Sequence, residues 1–296
     1  MTGPDQRRGD RRVAVVTGAS RGLGKGIALA LGEAGYVVYV TGRSVTPGAH
    51  DLGGTVGETA RAVTERGGTG IGVACDHRDD DAVADLVARV RAEAGVLDLL
   101  VNNAFAVPDG VTSSGGFWEK PLDVVMMFDV GLRSTYTTTW HAAPLLLASA
   151  ARSPLVVNIS GFGAICYLHG PAYGAVKAGV DKMTHDMAVD LADRGVSVVS
   201  LWPGLLRTER TMRVVDADPA LYRDSLSIME HPELTGRAIA ALDAGPPTGK
   251  RERSGRALIG AELAIELGVS DIDGRRPVSR RTSLGGPATY SDAVVR

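Results

Sequence analysis

Tyr173 and Lys177 stand four residues apart in a segment of helical spacing, so both side chains fall on one face. A tyrosine can act as acid toward a carbonyl or as base toward an alcohol. Its ordinary pKa of ~10 leaves only about 0.1% ionised at neutral pH. A nearby ammonium favours the phenolate and lowers that pKa; a two-unit shift corresponds to roughly 2.7 kcal/mol. Lys177 can supply that charge. Ser160, upstream at the end of an apolar run, can bind a substrate oxygen and stabilise charge that develops on it. Alone, such a tyrosine–lysine pair is a common accident on an exposed helix face, so its meaning depends on what surrounds it.

Residues 17–24 read Thr17-Gly18-Ala19-Ser20-Arg21-Gly22-Leu23-Gly24, between a short β-branched run and a helical segment. A strand, a glycine turn and a helix N-terminus form a place for a dinucleotide pyrophosphate. The missing side chains let the backbone approach, and the helix end offers free N–H groups. The alternative is a plain tight turn. The second strand ends Tyr39-Val40-Thr41-Gly42-Arg43. An NAD enzyme places an acid here for the adenosine ribose hydroxyls, and Gly42 stands where that acid would be. Arg43 and Arg21 could clamp a 2′-phosphate instead, so NADP(H) is the expected cofactor.

The elements that must position these residues alternate along the chain. The pattern predicts strands over 13–17, 37–40, 71–74, 97–101, 156–159, 196–201 and 257–259. Helices are predicted over 22–34, 56–66, 79–94, 121–150, 171–193 and 233–243. Alternation of this kind implies a single-domain α/β fold of Rossmann type, a doubly wound parallel sheet of about seven strands with helices on both faces. The expected organisation is a loose N-terminal arm over 1–11, the domain over 12–274, and a polar, arginine-rich surface extension over 275–296. Two loops, 104–118 and 204–232, exceed what the connections require, as lids often do.

Composition narrows the function. A net charge of −2 argues against a nucleic-acid partner, and the arginine clusters at 250–256 and 275–281 read as solvated loops. No apolar stretch approaches the ~18 residues of a membrane span, and the N-terminus lacks a signal-peptide core. Cys75 and Cys166 suggest neither a disulfide framework nor a metal pair, and the six histidines show no metal-ligand spacing. A cytoplasmic enzyme without a metal is expected.

The turn Gly18-x-x-x-Gly22-x-Gly24 resembles that of the short-chain dehydrogenase/reductase family. So do Asn102-Asn103-Ala104 after the fourth strand, Ser160, Tyr173-x-x-x-Lys177 and Pro203-Gly204 after the sixth. The strings Val130-Gly131-Leu132-Arg133, Phe117-Trp118-Glu119, Ser200-Leu201-Trp202-Pro203-Gly204 and Asp271-Ile272-Asp273-Gly274-Arg275 look like its member-one subgroup. The resemblance implies reversible hydride transfer between nicotinamide and a carbonyl or secondary alcohol, with Ser160, Tyr173 and Lys177 catalytic. It places Gly18, Ser20, Arg21, Gly22, Leu23, Gly24, Arg43, Asn102, Pro203 and Gly204 along NADP(H), and has Lys177 also hold the nicotinamide ribose. It sets Asp76 at the adenine, where a helix N-cap is the competing role, and Thr208 at the carboxamide. Apolar loops suggest a hydrophobic small molecule as substrate, with Cys166, Tyr167, Phe162 and Leu205 lining its pocket and His169 facing it. Family members form dimers or tetramers, so a homo-oligomer is expected.

Two departures stand out. Phe105 occupies a position where the family usually has glycine, which places a bulky ring near the entrance. Gly131 aligns with an asparagine that helps hold a water in the proton path of many members. Two other readings stay open: an NADP(H)-binding regulator or scaffold without turnover, and an NAD-linked alcohol dehydrogenase.

Overall fold

The computed structural model describes residues 11–48, 50–220 and 222–295. Residues 1–10 of the expected N-terminal arm lie outside them. Seven strands among the described residues form one sheet in the order β3-β2-β1-β4-β5-β6-β7, parallel throughout. They are β1 (Val13–Val16), β2 (Val37–Gly42), β3 (Thr69–Ala74), β4 (Leu99–Asn102), β5 (Leu155–Ile159), β6 (Ser197–Trp202) and β7 (Ala257–Ile259). Successive strand residues point to opposite faces, and both faces are covered. Ala14, Val16, Val38, Val40, Val157 and Val199 pack in one core with Ile27 and Leu31 of α1 (Gly22–Glu33). Val13, Val15, Val37, Val156 and Val198 pack in the other with Val83, Leu86 and Val90 of α3 (Asp80–Ala94). Burial on both sides is why these strands read as continuous β-branched runs.

Local signals set several helix ends. Thr55 and Glu58 form a reciprocal capping box at the start of α2 (Val56–Glu65). Asp79 caps α3 by accepting from the N–H groups of Asp81 and Ala82, and Gly95 ends it in the left-handed conformation. Asp76 is therefore not the cap of this helix. Farther along lie α4 (Ser134–Ala148), α5 (Pro171–Leu191), α6 (Glu209–Ala217), α7 (Pro232–Ala244), α8 (Pro247–Arg253) and α9 (Gly260–Glu266). The expected loop at 204–232 thus carries α6 in its middle, and its ends are closed by an isolated parallel bridge between Leu206 and Glu230.

The helix expected over 121–150 is not continuous. A 3₁₀ turn covers Leu122–Val125 and a π-turn covers Phe128–Arg133, and only then does α4 begin. Val130 (φ −109°, ψ 91°) and Gly131 (φ 153°, ψ −56°) leave the helical region. The Val130 carbonyl turns outward to accept the Ala106 N–H at 2.8 Å, and the Gly131 N–H donates to Ser134 Oγ at 3.1 Å. A side chain at Gly131 would be strained there, so glycine permits the kink.

The chain beyond 275 folds back on the domain. Arg281 pairs with Glu262 of α9 at 2.6 Å, Leu284 packs with Phe162 and Trp202, and the Tyr290 ring lies 5.1 Å from that of His185. At the amino end of the sheet, the buried Asp243 carboxylate gathers partners distant in sequence. Arg12 donates from Nε at 2.6 Å and from a terminal nitrogen at 2.7 Å, Tyr36 Oη donates at 2.6 Å, and Lys250 Nζ lies at 3.2 Å. Burial and this carboxylate together push the Tyr36 phenol upward.

Candidate active site

The carboxyl ends of β1, β4, β5 and β6 converge on one edge of the sheet, and the strand order reverses between β1 and β4. Ligands of open α/β sheets bind in the crevice at such a switch point. The glycine turn is tied to the loop after β4. Thr17 Oγ1 accepts the N–H groups of Asn103 and Ala104, both at 2.9 Å, and Asn103 Nδ2 donates to the Thr17 carbonyl at 2.9 Å. Gly24 can only be glycine, because a β-carbon there would stand 2.4 Å from the Gly18 carbonyl oxygen. Ser20 is buried and Leu23 packs against the core, so both shape the turn.

The turn fits a dinucleotide's phosphates. The Gly22 N–H at the start of α1 already holds an anion of this chain, the Glu209 carboxylate, at 2.9 Å. Arg21 is engaged: it donates to the carbonyls of Gly53 (2.7 Å) and Gly54 (3.0 Å) and to Ser44 Oγ (2.6 Å). The neighbouring charge of Arg43 also acts on it. Arg43 is exposed at the end of β2 and makes no hydrogen bond or ion pair among the described residues. Asp76 pairs with Arg78 at 2.7 Å, which holds its carboxyl below the usual carboxylate range. His77 beside it is buried against Thr41 Oγ1 at 2.8 Å, and burial pulls it down to about 4. Asn102 is buried, donating to Thr139 and Asn158, while its Oδ1 has no partner among the described residues.

Folding brings Ser160, Tyr173 and Lys177 together. Ser160 Oγ donates to the Lys177 carbonyl at 3.0 Å, and Lys177 Nζ donates to the Ile159 carbonyl at 3.2 Å. The Tyr173 hydroxyl lies 3.5 Å from where a β-carbon of Gly161 would stand, next to Ser160. Its ring rests on Gly163 and meets the rings of Phe105 and His169 edge-on, at 5.8 and 5.1 Å. The expected depression of Tyr173 by Lys177 is not met in this state. Burial, then Cys166, pushes the phenol up to about 12, while burial pulls the buried Lys177 down to about 8 against the opposing charge of Asp181. The ammonium faces the Ile159 carbonyl and the Phe105 ring, whose centroid is 4.2 Å away, and stands 5.6 Å from the Tyr173 centroid. A phenol held this way stays protonated at neutral pH.

Pro203 and Gly204 follow β6 at the same edge, with the Gly204 N–H donating to Glu230 at 3.0 Å. Thr208 caps α6, and its Cγ2 is 3.7 Å from the β-carbon position of Gly22. The pocket expected from the loops is revised in two places. Phe162 is core, stacked edge-on against Trp202 at 5.3 Å, and Tyr167 points into solvent.

Several residues escaped sequence reasoning. Asp181 lies one turn beyond Lys177, accepting from Ser200 (2.5 Å) and Trp202 (3.1 Å); continuing the four-residue spacing would have found it. Lys120 clasps two loops by donating to the carbonyls of Val111 (2.8 Å) and His169 (3.0 Å). Glu230, pushed up to about 7 by burial, anchors the base of the 204–232 segment. Spacing alone also missed that His231, Asp271 and Asp273 lie within 4.8 Å of one another. Asp271 accepts the N–H groups of His231 and Ile272, a structural duty at that same base.

The short chain dehydrogenase family model matches residues 12–219. The chain is 38% identical to human Dehydrogenase/reductase SDR family member 1 over 94% of its own length and 88% of that protein's. It is 32% identical to the cis-4-hydroxycyclohexanecarboxylate dehydrogenase of Sinomonas cyclohexanicum, covering 88% and 97% of the two chains. Among solved structures, a 3-oxoacyl-[acyl-carrier protein] reductase from Brucella melitensis in complex with NAD superposes with a TM-score of 0.71 at 26% identity, covering 86% of this chain and 98% of that one. The family model over residues 12–219 and the similarity to relatives over nearly the whole length show that the chain belongs to the short-chain dehydrogenase family of oxidoreductases.

Proposed function

We propose that the chain is an NADP(H)-dependent oxidoreductase that interconverts a carbonyl and a secondary alcohol on a hydrophobic small molecule. The observation that carries this reading is the placement of Ser160, Tyr173 and Lys177 at the sheet edge that also bears the glycine turn. When bound, the nicotinamide supplies or accepts the hydride. Tyr173 Oη gives the proton to the carbonyl oxygen or takes it from the alcohol. Ser160 Oγ, released from the Lys177 carbonyl, holds that oxygen. Lys177 turns its ammonium toward the phenol and the ribose hydroxyls, which makes the tyrosine easier to ionise. Thr208, Asn102 and the Pro203-Gly204 turn would line the cofactor's nicotinamide half, and Asp76 its adenine. Phe105 and Cys166 beside Tyr173 support an apolar substrate.

The exposed Arg43 supports NADP(H) over NAD(H), because it is free to meet a 2′-phosphate that NAD lacks. Arg43→Ala is expected to weaken NADPH binding by roughly 10- to 100-fold, the worth of a charge-assisted hydrogen bond, and to leave NADH binding unchanged. Titration followed by nicotinamide fluorescence reads both. An unchanged NADPH preference would remove Arg43 from the site and favour the NAD-linked reading.

Tyr136, Trp140 and Leu147 are exposed on α4, an apolar stripe that supports association into a homodimer or homotetramer. Sedimentation at micromolar concentration should show the oligomer, and a monomer alone would refute it. No helix among the described residues is long and apolar enough to cross a membrane. Free Cys75 and Cys166 support a reducing, cytoplasmic setting.

A further inference from the structure

The two departures from the family pattern face each other. A β-carbon on Gly131 would stand 2.8 Å from Phe105 Cδ2 and 2.9 Å from Cε2. The loop bearing Phe105 is held at that spot by the Ala106 N–H on the Val130 carbonyl, inside the kink itself. From there the ring presents its face to Lys177 Nζ at 4.2 Å from the centroid and its edge to Tyr173 at 5.8 Å. We infer that Phe105 is a positioning residue for the Tyr173–Lys177 pair, coupled to Gly131, its ring filling the volume of the absent side chain and holding the lysine ammonium by its π face. This inference rests on the catalytic reading of Tyr173 and Lys177 given above.

The groups around Lys177 show why the face matters. On α5 stand Tyr173 and Asp181. From β5 come the Ile159 carbonyl and Ser160, whose hydroxyl is turned to the Lys177 backbone. From the loop after β4 comes Phe105, and the kink before α4 meets that ring through Gly131. Cys166 and His169 face Tyr173 and not the ammonium. Asp181 is the one carboxylate in the group; it is itself pushed up by burial, with its oxygens committed to Ser200 and Trp202. A ring face attracts an ammonium and has no such attraction for an amine, so it opposes the effect of burial on Lys177. Without the ring, Lys177 would lose its proton more readily, leaving less ammonium to turn toward the Tyr173 phenol.

Carbon-labelled lysine NMR can follow the Lys177 titration, with the resonance assigned by its disappearance in Lys177→Arg. Phe105→Leu keeps apolar bulk and removes the face. It should lower the Lys177 midpoint by roughly half a unit to one and a half units. Phe105→Tyr keeps the face and should hold the midpoint near that of the wild type. A midpoint that stays fixed in folded Phe105→Leu would overturn the inference. The volume exchange is read separately by urea unfolding of Gly131→Ala, Phe105→Ala and the double variant. Shared volume predicts that the double loses clearly less stability than the sum of the singles, and strict additivity would sink the coupling. Both measurements use the cofactor-free protein, so failure of the functional reading shows separately, as absence of NADPH binding by the wild type.

Discussion

Tyr173→Phe should bind NADPH as the wild type does and turn over no carbonyl substrate at a measurable rate. The substitution removes one oxygen from a ring whose position is set by Gly163, Phe105 and His169, so the packing survives. What is lost is the proposed proton donor, a term worth typically 10²- to 10⁴-fold. His169 is the nearest titratable ring, but burial and Lys120 lower its pKa, which keeps it neutral and a poor proton source. The wild type would first be screened with NADPH against aromatic and alicyclic ketones and quinones, and the variant then tested on whatever is reduced. Retained turnover in the variant would remove Tyr173 from the chemistry. No turnover by the wild type on any of the panel, with NADPH still bound, would favour the regulator or scaffold reading. The same phenol sets the pH dependence. Burial pushes Tyr173 up to about 12, so the acid form needed for reduction persists through neutral pH. Alcohol oxidation needs the phenolate and should climb as pH rises.

Asp243→Ala should be among the most destabilising single changes in the domain, and it should leave the cofactor site intact. The carboxylate is wholly buried and answers Arg12, Tyr36 and Lys250 at once. Removing one partner of a buried ion pair leaves an uncompensated charge and costs roughly 3–5 kcal/mol. For a domain of this size that corresponds to a fall in melting temperature of roughly 6–20 °C. The hub sits at the amino end of the sheet, opposite the edge that carries the glycine turn, so NADPH affinity measured well below the transition should not change. Urea unfolding would show the loss as an earlier midpoint at constant slope. A loss below about 1 kcal/mol would mean that water reaches Arg12 and Lys250 in place of the carboxylate.

These two results bear differently on what the amino-acid sequence reveals. The candidate site was legible because Ser160 and the glycine turn follow strands, which announce themselves as β-branched runs when buried on both faces, and because Tyr173 and Lys177 share a helix face by their spacing. The glycine turn was legible for a related reason: close backbone approach admits few residue types. The kink at Gly131 was not, because helical periodicity reports which side chains are apolar and is blind to two residues that leave the helix while their neighbours keep the pattern. The engagement of Arg21 by Gly53, Gly54 and Ser44 was hidden likewise, since backbone carbonyls carry no residue signature. The Asp243 hub joins partners up to 231 positions apart, and nothing local in the chain marks them as a set. The polar tail beyond 275 misled by composition. Its arginines are not merely solvated, since Arg281 meets Glu262 and lets Leu284 reach the core.

The distance between Arg12 and Asp243 also orders the life of the polypeptide on the ribosome. At about 5–20 residues per second, roughly ten to fifty seconds separate the synthesis of the two. Asp98 and β4 are available to Arg12 and to the strand that follows it far sooner, but the carboxylate that pairs with Arg12 directly arrives only after that delay. Until Asp243 is made, the Arg12 and Tyr36 side chains lack the carboxylate they share in the folded protein. Closure of the amino end becomes one of the last acts of assembly, and a chain cut short before α7 would never complete it.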